Sequence, residues 1–200
     1  MRAADWDARY AAEELWPIEP NVYVADIVPD LAPGRALDVA CGEGRNAIWL
    51  AQQGWDVTAV DFSHVAVDRA RTRATQAGVD ISFAVADVLE FEMAPAAFDL
   101  VLLCFLQLTD HERRPVWARA AGAVAPGGTL LVIGHDTRNV TDGVGGPRDA
   151  GVCYSAADIT AALGPRLQIE SAGEVLRPKE GGTAIDCLVK ATAAPEQPGR

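Results

Sequence analysis

The stretch from Ala36 to Leu50, ALDVACGEGRNAIWL, constrains the fold of this chain more than any other. A short apolar run reaches Asp38, glycines follow at 42 and 44, and a helical pattern opens across Glu43 to Asn46. That order builds a strand, a tight turn and a helix N-terminus. There the backbone can approach a ligand closely, and free N–H groups meet its polar atoms. A nucleotide-type cofactor is the first expectation.

The glycine pattern alone does not say which cofactor. Gly42-Glu43-Gly44-Arg45-Asn46-Ala47 formally fits the dinucleotide fingerprint with alanine in the last place. Downstream, however, DVTAVD carries a second apolar run into Asp61, and ISFAVAD carries a third into Asp87. Three strands that each end in an acid suit a ligand lying across their carboxyl ends. Such a ligand would offer an amino group, ribose hydroxyls and an exocyclic adenine amine.

On these residues the chain resembles the class I S-adenosylmethionine-dependent methyltransferases, whose first motif reads acid-x-G-x-G-x-G. Here it stands as Asp38-Val39-Ala40-Cys41-Gly42-Glu43-Gly44, with Ala40 in place of the first glycine. Alanine keeps the close approach if its φ stays negative. The stretches GEGRNAIWLA, VTAVD, VADV and APGGTLLV and the late glycine-rich loop look like the small tellurite-resistance-type methyltransferases. The resemblance implies an α/β fold, a Rossmann-like three-layer sandwich on a mostly parallel seven-stranded sheet with a terminal antiparallel strand. It divides the chain into an N-terminal helical lid or cap segment (1–34), a methyltransferase domain (35–192) and a flexible tail (193–200).

Periodicity agrees with that expectation. Strand patterns cover 36–39, 57–60, 81–85, 98–103 and 129–134, and helical patterns cover 46–53, 64–76 and 112–124. The alternation predicts a parallel sheet covered on both faces. Pro126-Gly127-Gly128 reads as a turn before the fifth strand. Beyond it, 155–163 is a helix with Ser155 as N-cap, and 167–174 and 184–189 are strands joined by a loop containing Gly181-Gly182.

Two hundred residues, half of them hydrophobic, make one domain with a sizeable core. The formal net charge of −11, from 28 acids against 17 bases, argues against a nucleic-acid partner, which would call for a basic patch. The apolar run from Leu100 to Leu106 is too short to span a bilayer, and no basic-then-apolar leader opens the chain. The expectation is a cytoplasmic protein, monomer or homodimer, with a small-molecule substrate and no membrane partner. Four widely spaced cysteines without a C-x-x-C pair argue against a structural zinc or a disulfide framework, so no metal is expected.

The resemblance also implies roles for individual residues. Asp38 orients the methionine ammonium, and the backbone from Ala40 through Cys41 to Gly42 passes the methionyl and ribose portions. Asp61 accepts from the ribose hydroxyls, Phe62 and Ser63 border the adenine, and Ala86, Asp87 and Val88 meet the adenine amine and ring. Arg45 and Asn46 reach the methionine carboxylate, or Arg45 instead pairs with Glu43 or Asp5. Cys41 lies in the cofactor turn and Cys104 ends the fourth apolar run, so both stand near the cavity, foremost as buried small hydrophobes that line it. In the head, Tyr10 and Trp16 either close over the sulfonium as a lid or, with Trp6, bind the head to the sheet.

Methyl transfer asks chiefly for an acceptor held in line in a dry cavity. If a proton must leave, His135 is placed for it at the end of the fifth strand, because imidazole titrates near neutrality. Asp136 orients that ring or serves as the base itself; otherwise the pair fixes the loop that follows. His111 and His64 begin helices and read as capping or surface residues. Loop 138–154, with three glycines, has the composition of a substrate-side cover, and Phe105, His135 and Arg177 are the substrate-side candidates. Leu176 and Ala184 stand where the tellurite-type family carries polar or basic groups, so a thiol or chalcogen acceptor and an oxygen or nitrogen acceptor are both open. Two other readings are a nicotinamide-dependent oxidoreductase, on the G-x-G-x-x-A match, and a non-catalytic domain that binds S-adenosylmethionine.

Overall fold

The structure, a computed structural model, describes residues 3–13 and 16–196. The last four residues of the expected tail, and Glu14 and Leu15 of the head, lie outside the described residues. The chain forms two compact units, Met1–Glu92 and Met93–Arg200.

The first unit opens with helices α1 (Ala3–Ala12) and α2 (Val22–Ile27). Strands β1 (Arg35–Val39), β2 (Asp56–Asp61) and β3 (Ser82–Val85) follow, with helices α3 (Arg45–Gln52) and α4 (His64–Ala77) between them. β1 pairs in parallel with β2, and β2 with β3. Leu37, Val39, Val57, Ala59 and Val60 are buried, which is why β1 and β2 read as nearly continuous apolar runs rather than alternations. α4 is bounded by chemistry visible in the sequence: Ser63 accepts from the Ala66 N–H at its start, and Gly78 takes the left-handed conformation at its end.

The second unit contains β4 (Phe98–Cys104), α5 (Asp110–Ala123), β5 (Val124–His135), the single-turn helix α6 (Asn139–Asp142) and α7 (Ala156–Leu163). A hairpin of β6 (Leu167–Lys179) and β7 (Gly182–Ala193) completes it. β4 and β5 are parallel, whereas β7 is antiparallel to both β5 and β6. The strand order of the seven-stranded sheet is β3-β2-β1-β4-β5-β7-β6, the Rossmann-like α/β arrangement expected from the sequence. Ser155 caps α7 in a reciprocal capping box with Asp158, as the sequence predicts.

Three boundaries differ from expectation. β5 begins at Val124, and Pro126-Gly127-Gly128 forms an irregularity within it, because the register against β4 shifts between Phe98 and Leu100. The hairpin turn is Glu180-Gly181, with Gly182 already paired to Lys179. β7 runs to Ala193, which is buried, one residue into the expected tail. Most β6 side chains are exposed, so this strand lacks the apolar alternation that would have announced its length.

Candidate functional site

In the first unit, the turn after β1 is closed by the Gly44 N–H on the Cys41 carbonyl (3.0 Å) and tied to β2 by two further bonds. The Cys41 N–H donates to the Val60 carbonyl (3.0 Å), and the Gly42 N–H donates to Asp61 Oδ2 (2.9 Å). Asp61 Oδ1 accepts from the Ser63 N–H (2.9 Å), so this carboxylate ties the ends of β1 and β2 together. Asp87 makes a local turn bond of the same kind, its Oδ1 accepting from the Leu89 N–H (2.9 Å). Asp87 is exposed and Val88 buried beside it, while the Ala86 N–H donates to the Asp61 carbonyl (3.0 Å).

Ala40 corrects an expectation. Its φ is +60°, in the left-handed region that the family's glycine occupies freely, so the alanine sits there strained rather than with negative φ. Gly42, at φ +54°, occupies the same region without that strain, and the Tyr10 side chain stands close to it. A Cβ on it would lie 2.8 Å from the Tyr10 hydroxyl oxygen.

Asp38 is 1 % exposed, and its Oδ2 has no hydrogen-bond partner. Burial pushes its carboxyl up from 3.8 to about 7; the Asp61 charge adds to the shift, while Arg45 and the Ala47 N–H oppose it. Burial also raises Asp61, against the Ser63 and Gly42 N–H bonds. Cys41 is buried and its thiol is pushed far up, first by burial and then by Asp38 and Asp61, so it lines the turn as a small apolar group.

The head packs on this turn. Tyr10 is buried and accepts from the Trp16 indole N–H (3.4 Å), while Trp6 lies against Tyr10 with centroids 5.7 Å apart. The Arg45 guanidinium lies over the Trp16 ring at 5.6 Å. Glu43, 1 % exposed, is bound by Arg69 (3.0 Å) and Arg73 (3.5 Å) of α4. Asn46 Oδ1 accepts from the Asn21 N–H (2.9 Å), so this side chain anchors the start of α2. Ser63 is buried and donates to Asp7 (2.6 Å); its hydroxyl therefore caps α4 and holds α1, with half-buried Phe62 beside it. His64 begins α4 at the surface, as expected, and pairs with Asp7 (3.0 Å).

In the second unit, Cys104 and Phe105 follow one another at the end of β4, both half-buried, and Phe105 has a φ of +60°. Its ring lies 4.6 Å from the His135 ring, and the Arg177 guanidinium lies 5.2 Å from the Phe105 centroid. The three substrate-side candidates are thus together. Asp136 is not the carboxylate that orients His135. It accepts from the Arg138 N–H (2.9 Å) and the Thr137 hydroxyl (3.3 Å), fixing the loop into α6. The partner of His135 Nδ1 is Asp186 Oδ1 at 3.1 Å, directly opposite in the β5–β7 register. Asp186 is fully buried and also accepts from Arg177 Nε (2.7 Å) and Nη2 (3.1 Å).

Sequence reasoning missed Asp7 and Asp186, and it missed that Glu43 belongs to Arg69 and Arg73. Arg69 and Arg73, four apart on one face of α4, were a readable hint of a buried acid. Nothing local marks Asp7 or Asp186, whose partners are set by helix docking and antiparallel register.

The site's residues fit the expected cofactor on one structural test. A buried carboxylate oxygen without a partner stands at the glycine turn, where a cationic donor would satisfy it. Comparisons with known proteins agree. A methyltransferase-domain family model matches residues 36–128. An uncharacterized methyltransferase of Mycobacterium tuberculosis is 34% identical over 131 residues, covering 64% of this chain and 66% of that protein. The 27-O-demethylrifamycin SV methyltransferase of Amycolatopsis mediterranei is 35% identical over 132 residues, covering 64% and 48%. The matched region therefore spans about half to two thirds of these relatives. Among solved structures, the protein from a study of the conversion of a disulfide bond into a thioacetal group during echinomycin biosynthesis has a TM-score of 0.78 at 24% identity, covering 96% of this chain and 92% of its own. TehB from Haemophilus influenzae has a TM-score of 0.72 at 18% identity, covering 87% and 62%. The acid-ended strands, the glycine turn and these matches together make the chain a member of the class I S-adenosylmethionine-dependent methyltransferases.

Proposed function

We propose that the protein transfers the methyl group of S-adenosylmethionine to a small-molecule acceptor, with S-adenosylhomocysteine as product. The observation that carries this reading is the unpartnered Oδ2 of buried Asp38, with Asp61 beside it. Two buried carboxylates at a glycine turn oppose the pyrophosphate of a dinucleotide and favour a cationic amino acid portion. The cofactor supplies an activated methyl on a sulfonium leaving group. Asp38 accepts from the ammonium and Asp61 from the ribose hydroxyls through its remaining lone pairs. Tyr10 and Trp16 shield the turn from water.

Acceptor binding belongs to Phe105, His135 and Arg177. Because Asp186 already holds Nε and Nη2 of Arg177, this guanidinium is poorly placed as an oxyanion receptor. The relative that methylates 27-O-demethylrifamycin SV supports an oxygen acceptor, and the protein of the thioacetal study supports a sulfur one. A small thiol or chalcogen species and a hydroxyl-bearing metabolite are therefore the acceptors to screen first.

Calorimetric titration with S-adenosylmethionine, S-adenosylhomocysteine and NAD tests the proposal. Binding of the two sulfur nucleosides without NAD is expected, and Asp61→Ala should weaken it strongly. Binding of NAD alone would overturn the reading, and unchanged affinity in Asp61→Ala would overturn the placement of the site.

A further inference from the structure

The second unit holds a side-chain relay that the methyltransferase reading does not require. Its base is the register of β5 against β7, which sets His135 directly opposite Asp186. β6 then brings Arg177 to the far side of the same carboxylate, since Val175 rather than Arg177 is the residue paired with Asp186 in the β6–β7 register. Arg177 reaches across by two residues and binds through Nε and Nη2, a two-point attachment to both carboxylate oxygens. Asp186 is fully buried, His135 is 8 % exposed, and the Phe105 ring covers the imidazole.

A carboxylate paired in this way is an acceptor only. The nitrogen of His135 that faces it must therefore donate, which places the ring hydrogen on Nδ1 and leaves the lone pair on Nε2. No hydrogen bond engages Nε2 among the described residues. Resting on the proposed methyl transfer, we infer that Asp186, steadied by Arg177, is a positioning residue that makes His135 Nε2 a proton acceptor for the substrate.

The chemistry then narrows the acceptor to one that carries a proton on its nucleophilic atom: a hydroxyl, a thiol or an amine. As the new bond to carbon forms, that proton passes to Nε2, and the electron pair of the broken carbon–sulfur bond stays with the cofactor's sulfur. The imidazolium left on the protein is neutralised by Asp186 through Nδ1. A pre-ionised chalcogen oxyanion would need no such group, and the Arg177 guanidinium is already committed to Asp186.

Long-range proton–nitrogen NMR of the imidazole rings in nitrogen-15-labelled full-length protein tests this without any acceptor. His135→Gln assigns the signal by its disappearance. In its neutral form His135 should show a protonated Nδ1 and a bare Nε2. Asp186→Asn can present an amide donor to Nδ1, and the tautomer should invert, moving the hydrogen to Nε2. Arg177→Lys keeps the charge and should preserve the wild-type tautomer. A wild-type ring protonated on Nε2 overturns the inference whether or not any variant folds; so does an unchanged tautomer in a folded Asp186→Asn protein. Titration of the same samples with S-adenosylhomocysteine separates the two proposals. Lost binding in the wild type with the tautomer as expected would sink the proposed function, whereas retained binding with Nε2 protonated would sink only the relay.

Discussion

With Asp38 holding the cofactor's ammonium as proposed, the ligand-free protein's stability and its affinity for cofactor should depend on pH with opposite signs. Burial holds the folded Asp38 carboxyl at about 7 against an ordinary 3.8. Between those values the native state keeps a proton that the unfolded state releases. Stability of the ligand-free protein should therefore fall as pH rises through this window and level off above it. At pH 7.5 the accumulated loss is about 4 kcal/mol, from 1.36 kcal/mol per pKa unit. Asp38→Asn removes the ionisation and should raise the melting temperature at pH 7.5 by about 10 °C for a chain of this size. Binding runs the opposite way. An ammonium requires the carboxylate, so affinity for S-adenosylhomocysteine should rise about eightfold from pH 6 to pH 7.5, with about one proton released per ligand at the lower pH. In Asp38→Asn that dependence should vanish and affinity fall roughly 10- to 150-fold, the loss of one charge-assisted bond worth about 1.5–3 kcal/mol. Calorimetry in buffers of different ionisation enthalpy reads the proton count directly. PH-independent wild-type affinity, or an asparagine variant that melts no higher and binds as tightly, would refute the argument.

Other expectations follow from single contacts. Ala40→Gly should stabilise the protein by about 1 kcal/mol, because glycine occupies φ +60° without the alanine's Cβ clash; unchanged or lower stability in chemical denaturation would contradict the strain. Replacing Arg69 and Arg73 together by methionine strands Glu43 in the interior and should cost about 3–5 kcal/mol, with much of that restored by adding Glu43→Leu. A triple variant no more stable than the double would disprove the stranded charge. Gly134→Ala would put a Cβ 2.3 Å from the Tyr154 ring, and the soluble folded yield should collapse.

Much of the first unit was legible in the sequence. Parallel strands buried on both faces are apolar runs, and a glycine turn between run and helix is a local pattern, so Asp38, Gly42 and Asp61 could be placed by position alone. Ser63 and Ser155 were readable as helix starts for the same reason: capping uses neighbours three residues away. Ala40 marks the edge of such reading. Its residue type was visible, but the sign of its φ follows from how the turn is pinned to Val60 and Asp61.

What only the tertiary structure decided are the partnerships between distant segments. The sequence offered Asp136, the chain neighbour of His135, as its partner, while antiparallel pairing supplied Asp186, 51 residues away. Arg45 was expected at the methionine carboxylate or, instead, on Glu43 or Asp5; its guanidinium lies over Trp16, and Glu43 is held by the arginines of α4. Sequence periodicity reports which face of an element is buried. It does not report what stands across from it, because register and helix docking are settled by the packing of whole elements against one another.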